Sequence, residues 1–85
     1  MRYYTYILYS EGKGRYYVGQ TSDLDSRLER HQLGQVKSTR GYRPWKIVYY
    51  EVYETRSESV SRELFIKKQK SRRFIERLIK EGSGA

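Results

Sequence analysis

Five side chains of this sequence have the chemistry that hydrolysis of a phosphodiester bond requires. They are two phenols, a guanidinium, an imidazole and a carboxylate, carried by Tyr6, Tyr17, Arg27, His31 and Glu63. In-line hydrolysis needs a group that deprotonates water, a cation that neutralises the phosphate and a stabilised leaving oxygen. The residue types present meet the first two needs, and the carboxylate can hold a divalent ion for the third.

Each of these residues also has an ordinary structural explanation. Tyrosines in a strand are commonly packing residues, and this chain has ten. On a helix, His31 lies ~20° and Arg27 ~60° from the direction of Leu24, which places both beside the apolar stripe. The pair then points into a cleft, or it is a solvated arginine beside a half-buried histidine. Glu63 has Lys67 four residues later and can form an ion pair with it.

The metal chemistry open to this sequence is narrow. There is no cysteine and only one histidine, His31. This excludes disulfides, thiolate zinc sites, iron–sulfur clusters, a cysteine nucleophile and any multi-histidine cage. One carboxylate holds Mg²⁺ only if phosphate oxygens and waters complete the octahedron. We therefore expect no structural metal, and Glu63 suits a divalent ion that binds together with a phosphate substrate.

Charge narrows the class of partner. The chain has 85 residues, with 18 lysines and arginines against 10 acidic residues and a net charge of +8. This charge favours nucleic acid as a polyanionic partner, although an anionic membrane surface or plain solubility would also account for it.

Length and hydropathy define the expected organisation. We expect one domain over residues 1–81 and a flexible tail at residues 82–85. No apolar run approaches the ~20 residues of a membrane span, and the N-terminus shows no signal-peptide pattern. The expectation is a cytoplasmic protein with no membrane partner, and its oligomeric state is left open.

Periodicity predicts the element order ββαβαα, a three-stranded sheet flanked by helices in the α+β class. The first strand alternates, with Tyr4, Tyr6 and Leu8 on one face. The second strand returns after a glycine-containing turn, and Gly34, Gly41 and Pro44 make residues 34–44 a loop. The predicted strands are 3–9, 16–19 and 45–53, and the predicted helices are 23–33, 56–69 and a short one that Ser71 caps.

Local sequence patterns locate the helix starts and their buried faces. Ser22 with Asp25, and Thr55 with Glu58, have the spacing of capping boxes. In the second helix, Val60 and Leu64 are four residues apart and predict the apolar stripe, with Glu63 beside it. In the last helix, the apolar residues at helical spacing are Phe74, Ile75, Leu78 and Ile79.

The motifs resemble those of the GIY-YIG nuclease family. Tyr17-Val18-Gly19, followed by a turn and a helix with Arg27 and His31, is similar to the second half of the family signature. Tyr4-Thr5-Tyr6 stands at the first half, of which only the tyrosine is kept. The resemblance covers about residues 3–79. Within the family, the sequence is similar to small stand-alone members related to the N-terminal nuclease module of the excision-repair endonuclease. It continues through Thr39-Arg40-Gly41, Arg43-Pro44-Trp45-Lys46, Val48-Tyr49 and Arg62-Glu63.

The resemblance implies a metal-dependent DNA endonuclease with little sequence specificity. DNA repair is one of the processes in which we expect such an enzyme to act. Single-stranded and branched DNA are candidate substrates, and RNA is not excluded. Glu63 matches the glutamate that binds one Mg²⁺ or Mn²⁺, and Arg27 matches the arginine that holds the scissile phosphate. Tyr6, Tyr17 and His31 match the group around the attacking water, with Tyr6 as the general base. Gly19 has a backbone role, because a side chain there would crowd the site.

The departures from the family pattern keep a second interpretation open. Tyr4-Thr5 replaces the leading Gly-Ile, and the chain has no asparagine where many relatives carry one late in the site. Gln69 and Lys70 are the candidates to replace it. The alternative is a nucleic-acid-binding module with weak or no activity, or an interaction subunit.

Basic residues outside the catalytic set are expected to hold the nucleic acid backbone without sequence specificity. The candidates are Lys37, Arg40, Arg43, Lys67 and Lys70. Tyr42 and Trp45 have two interpretations. They stack on unpaired bases, or Trp45 begins the core strand and Tyr42 covers it.

Overall fold

Three antiparallel strands and three helices follow one another in the predicted α+β order. The computed structural model describes residues 1–82. Its strands are β1 (Tyr3–Ser10), β2 (Arg15–Thr21) and β3 (Lys46–Tyr53), and its helices are α1 (Leu24–Gln32), α2 (Arg56–Gln69) and α3 (Arg72–Gly82).

The central strand β1 sets the layers of the molecule. The sheet order is β2-β1-β3, and both pairings are antiparallel. Tyr6 and Leu8 are buried with Trp45 on one face, and Ile7 is buried with Val18 on the other. The predicted alternation of β1 is therefore confirmed, and it separates two thin cores on opposite faces of the sheet.

The start of α1 differs by one residue from its prediction. The N-cap is Asp23, in an extended conformation, and its carboxylate accepts a hydrogen bond from Ser26 N at 3.1 Å. The predicted Ser22–Asp25 capping box is wrong, because Asp23 itself has the backbone geometry and the acceptor that an N-cap needs. Gly34 follows the helix with φ +76°, so the predicted glycine stop is confirmed.

The loop after α1 contains a short 3-10 turn at Arg40–Tyr42 and leads into a buried tryptophan. Trp45 is only 4% exposed, and its indole Nε1–H donates to the Thr39 carbonyl at 2.9 Å. Trp45 is thus a core residue, as the second interpretation predicts, and it directly precedes β3. Tyr42 packs against it with ring centroids 6.2 Å apart.

Helix α2 begins as predicted but presents a different face to the sheet. The Thr55–Glu58 capping box is present. The buried residues are Ser59 and Ile66, whereas Leu64 is 59% exposed, so the predicted Val60–Leu64 stripe is wrong.

Polar contacts explain this rotation of α2. Thr5 Oγ1 donates to the Ser59 carbonyl at 2.9 Å. Arg62 forms two hydrogen bonds with Glu51 on β3, with its Nε 2.9 Å from Oε1 and its Nη2 3.1 Å from Oε2. Planar bidentate pairs of this kind fix orientation as well as distance. They direct the next residue, Glu63, toward the sheet.

Helix α3 completes the second layer. Ser71 Oγ accepts a hydrogen bond from Phe74 N at 3.1 Å, which confirms the predicted cap. The predicted apolar residues pack on the core around Ile7, and they are Phe74, Ile75, Leu78 and Ile79. The helix includes Gly82, the first residue of the predicted tail, and residues 83–85 lie outside the described residues. No helix within residues 1–82 has the length and apolarity to cross a bilayer.

Two leucine-sized side chains on α2 test its orientation. We expect Ile66→Ala to lower the free energy of unfolding by about 2–5 kcal/mol, because it opens a cavity in the core. Leu64→Ala, on the exposed side of the same helix, should change it by about 0.5 kcal/mol or less. Urea denaturation of both variants measures the difference, and equal losses would contradict the observed rotation of α2.

Candidate active site

The hydroxyl of Tyr6 is at the centre of the candidate site. Tyr6 lies on β1, is 1% exposed, and its Oη is 3.0 Å from Nε2 of His31 on α1. Gly19 is directly opposite Tyr6 on β2. A Cβ on Gly19 would lie 2.5 Å from Tyr6 Oη and 3.1 Å from Tyr17 Cε2, so only glycine leaves room for the phenol.

The partners of His31 assign its tautomer. Thr39 Oγ1 is 2.7 Å from His31 Nδ1 and donates its own proton to the Val36 carbonyl. We assign the Nδ1–H tautomer to His31, because Nδ1–H can then donate to Thr39 while the Thr39 hydroxyl donates to the Val36 carbonyl. Nε2 is therefore the acceptor, and Tyr6 donates to it.

Burial, more than the surrounding charges, holds both rings neutral. Burial raises the pKa of Tyr6 well above its usual value, Tyr17 and Glu63 act in the same direction, and the Arg27 guanidinium opposes them. Burial, helped by Arg27 and Arg30, lowers the pKa of His31 to about 4. At neutral pH the resting arrangement is thus a phenol that donates to an uncharged imidazole.

Tyr17 forms a second wall of the site. Its ring centroid is 5.0 Å from that of His31 and 6.4 Å from that of Tyr6. Lys67 Nζ, on α2, is 5.8 Å from the Tyr17 ring centroid. Helix α2 packs on the other core, yet Lys67 lies beside the Tyr17 ring and the charge of Glu63 acts on Tyr6.

Glu63 is the only acidic residue of the predicted catalytic set, and it is held in an ion pair. Its side chain is 16% exposed, and its Oε2 accepts a hydrogen bond from Lys67 Nζ at 2.6 Å. The i, i+4 pairing that the spacing allowed is therefore present. The helix pair does not remove Glu63 from the site, because its charge still acts on Tyr6.

The donor set fits a divalent ion of one kind only. Within residues 1–82 no three histidine, aspartate or glutamate side chains come together to form a cage. One partly buried carboxylate suits Mg²⁺ when phosphate oxygens and waters supply the other ligands. Such an ion would share Glu63 with Lys67 or displace it.

The residues predicted to bind the nucleic-acid backbone lie in two groups, one on the loop after α1 and one at the C-terminal end of α2. Lys37 and Arg40 are exposed on either side of Thr39, the partner of His31, and Arg43 Nε donates to the Arg40 carbonyl at 2.8 Å. Lys67 lies beside Tyr17 in the candidate site. Lys70 ends α2 in a left-handed conformation with φ 48°. Gln69 Nε2 donates to the Phe65 carbonyl at 3.0 Å, within its own helix.

Two residues that hold the site were not identified as functional from the sequence. Thr39 bonds Nδ1 of His31, and Gln32 ties the end of α1 to Trp45, the residue before β3, through two backbone hydrogen bonds at 2.6 and 2.7 Å. In the sequence, only the family resemblance marks the Thr39-Arg40-Gly41 segment. Nothing local in the sequence indicates the Gln32 contact.

The low pKa of His31 predicts how stability depends on pH. As pH falls from 6.5 toward about 4, the unfolded chain takes up a proton at His31 and the folded protein does not. The free energy of unfolding therefore falls across this window, by about 2 kcal/mol at pH 4.5.

The variant His31→Gln has no imidazole to take up a proton in this pH range. All the acidic side chains of the protein remain, so their contribution to the pH dependence is the same in both proteins. We expect wild-type protein to lose more stability than His31→Gln between pH 7 and pH 4.5, measured by urea denaturation at each pH. Parallel pH curves for the two proteins would contradict the assignment of His31 as a buried neutral imidazole.

Comparison with known proteins places this geometry in a family. The sequence matches the model of the GIY-YIG catalytic domain over residues 2–77. It is 44% identical over 69 residues to UPF0213 proteins of Staphylococcus aureus strains Mu3 and Mu50, an alignment that covers 80% of this chain and 83% of each relative. These names state no activity.

A solved structure supports the same relationship. The solution NMR structure of a UPF0213 protein from Bacillus halodurans superposes with a TM-score of 0.59 at 34% sequence identity. The match covers 94% of this chain and 84% of that one. With a family match over nearly its whole length and relatives of this similarity, the chain belongs to the GIY-YIG family.

Proposed function

We propose that this protein is a divalent-metal-dependent endonuclease that hydrolyses phosphodiester bonds in DNA with little sequence specificity. The observation that carries the proposal is the convergence of charges and hydrogen bonds on Tyr6. Its hydroxyl bonds to His31, and Tyr17, Arg27 and Glu63 are close enough to shift its pKa. These residues come from four elements, namely β1, β2, α1 and α2.

Arg27 is the residue that holds the scissile phosphate. It lies on α1, half-buried, with its positive charge acting on both Tyr6 and His31. A guanidinium binds two phosphate oxygens in one plane and remains charged at any pH of interest. In a partly water-excluded site this charge offsets the negative charge that builds up during attack.

A proton relay lets Tyr6 act as the base without a free phenolate. Because burial raises the pKa of Tyr6, a resting phenolate is unfavourable. Instead, Tyr6 takes a proton from the attacking water while its own proton moves to Nε2 of His31 along the existing 3.0 Å hydrogen bond. The new oxygen–phosphorus bond forms as the bond to the leaving oxygen breaks.

Substrate binding makes His31 a better acceptor. Burial first, and then Arg27 and Arg30, lower the pKa of His31. A phosphate held by Arg27 brings negative charge that offsets the two guanidinium groups, so the pKa of His31 rises when substrate is present. The relay is then favoured in the complex and disfavoured in the free protein.

Glu63 is the metal ligand in this proposal. A divalent ion, Mg²⁺ or Mn²⁺, supplies charge that stabilises the leaving oxygen when it is bound. Lys67, which pairs with Glu63 and lies beside Tyr17, would then be available to a phosphate of the substrate. Lys37 and Arg40 on the loop, with Arg43 and Lys70, extend the contact to neighbouring phosphates, which carry no sequence information.

One observation favours a second candidate function, nucleic-acid binding without turnover. The Lys67–Glu63 ion pair, with 2.6 Å between Nζ and Oε2, occupies the carboxylate that would hold the ion. The chain also has no asparagine. In that case the basic surface would bind DNA or RNA and no divalent ion would promote cleavage.

Glu63→Gln separates the two candidates, because it removes the anionic ligand and keeps the shape of the side chain. We expect it to lower the cleavage rate by about 10²–10³-fold, the usual loss when an electrostatic stabiliser is removed. The assay uses labelled single-stranded, duplex and branched DNA with Mg²⁺, Mn²⁺ or EDTA. Binding, measured by fluorescence anisotropy in EDTA, should be retained.

The matched control is Glu29→Gln, which makes the same charge change at an exposed position on α1. It should cleave at the wild-type rate. Binding by wild-type protein without cleavage in either metal would establish the second candidate. Cleavage by Glu63→Gln at the wild-type rate would show that the ligand assignment is wrong.

Tyr6→Phe tests the relay, because it removes the hydroxyl and leaves the ring in the core. We expect about 10²–10⁴-fold slower cleavage, the range for loss of a general base. Tyr50→Phe is the control, since Tyr50 pairs with Tyr6 across the sheet but is 54% exposed. Equal rates for Tyr6→Phe and wild type would remove Tyr6 from the mechanism.

A further inference from the structure

A cavity lies beside the proposed catalytic cluster and has no part in the proposed hydrolysis. The cluster consists of Tyr6, Tyr17, Arg27, His31 and Glu63. The cavity lies between β2 and the loop that precedes β3, and its volume is about 220 Å³. Its lining is mostly aromatic and hydroxylic, with one guanidinium and, among the described residues, no carboxylate. The lining residues are Arg15, Tyr16, Tyr17, Ser38, Thr39, Tyr42 and Trp45.

The aromatic wall is held in place. Arg15 Nη2 donates to Tyr42 Oη at 3.0 Å, and the Arg15 Cζ is 5.0 Å from the Tyr42 ring centroid. Tyr42 also packs on Trp45, which is buried in the core. A fixed aromatic face with a guanidinium beside it is the arrangement on which unpaired nucleobases stack.

The size of the cavity limits its ligand. Pockets for drug-sized ligands are about 300–1,000 Å³, so this cavity is smaller than those. It has the volume of about seven liquid waters, at about 30 Å³ each. One planar heterocycle fits this space, and the sugar and phosphate of the same nucleotide remain outside.

The cavity shares residues with the catalytic cluster. Tyr17 lines it and has its ring centroid 5.0 Å from that of His31. Thr39 also lines it and bonds His31 Nδ1 at 2.7 Å. A base in the cavity therefore belongs to a nucleotide next to the phosphate that Arg27 would hold.

A second hollow continues the path away from the site. It shares Arg15 and Tyr16 with the cavity and has a volume of about 400 Å³. Its other lining residues are Lys70, Ser71, Arg72 and Ile75. Arg72 is paired with Glu76 across 3.1 Å, so Lys70 and Arg15 are the cations that suit the next phosphates of the same strand.

We propose that the cavity at Tyr42 binds one unpaired nucleobase adjacent to the scissile phosphate, which makes nucleic acid with unpaired nucleotides the preferred substrate class. This inference rests on the proposed function, because it places the base relative to the phosphate held by Arg27. A paired base must first leave its stack and its partner to enter the cavity. A base that is already unpaired does not, so the cavity discriminates by strand state and not by sequence.

The test uses strands that carry every phosphate but few bases. A fully abasic strand is compared with the same strand bearing a single 2-aminopurine, by fluorescence anisotropy in EDTA at low salt. We expect the single base to tighten binding about five- to a hundredfold, the range for stacking of one base on an aromatic side chain. Its emission should also be quenched when the complex forms.

Tyr42→Leu should abolish both effects while binding to the abasic strand stays near the wild-type level. Tyr50→Leu, which removes an exposed tyrosine outside the cavity, should preserve both. Circular dichroism checks that Tyr42→Leu is folded. If it is not, Arg15→Gln, at an exposed position, replaces it and should reduce the gain in affinity from the base.

The outcomes separate the two levels of the proposal. No binding to any strand, base-containing or abasic, would overturn the proposed function together with this inference. Equal affinity for the abasic and single-base strands would overturn the inference and leave the nuclease proposal standing, because the surface would then bind phosphates alone. A gain that persists in Tyr42→Leu would likewise overturn the assignment of the cavity.

Discussion

The structure depends on a buried chain of hydrogen bonds that runs from Tyr6 through His31 to Thr39. A buried phenol or imidazole without a partner costs free energy, so each of these groups constrains the position of the next. Tyr6 belongs to the central strand, His31 to α1, and Thr39 to the loop before β3. These connected polar contacts thereby fix how α1 and the loop before β3 lie on the sheet face where Tyr6 and Leu8 are buried.

The same chain determines the electrostatic state of the site. Burial that orders the two rings also keeps Tyr6 protonated and His31 neutral, since both charged forms lose solvation. The proposed mechanism follows from this state, because it moves the Tyr6 proton together with the proton of water and needs no resting phenolate. Gly19 makes the packing possible, because any Cβ there would occupy the space of the Tyr6 hydroxyl.

Local sequence features were predictable, and contacts between distant elements were not. The alternation of β1 and the Thr55–Glu58 capping box depend on neighbouring residues, so the strand faces and the start of α2 could be predicted. The rotation of α2 could not, because the Thr5–Ser59 contact joins residues 54 positions apart. The pattern placed Glu63 beside an apolar stripe, whereas polar anchors turn its face of the helix toward the sheet.

Helices from both faces of the sheet contribute to the candidate site. This explains how so small a domain brings the opposite charges of Arg27 and Glu63 to act on Tyr6. Helix α1 contributes Arg27 on the face of Tyr6, whereas α2 packs on the opposite face, where Ile7 is buried, yet Glu63 acts on Tyr6 and Lys67 lies beside Tyr17. Glu63 and Lys67 neutralise each other in the ion pair, so the cluster keeps the positive charge of Arg27. In the proposed mechanism that charge would attract a phosphate, and a divalent cation would have to compete with Lys67 for Glu63. Metal affinity at Glu63 would therefore rise once a phosphate is present, because the phosphate would offer Lys67 another partner and supply oxygens for the ion.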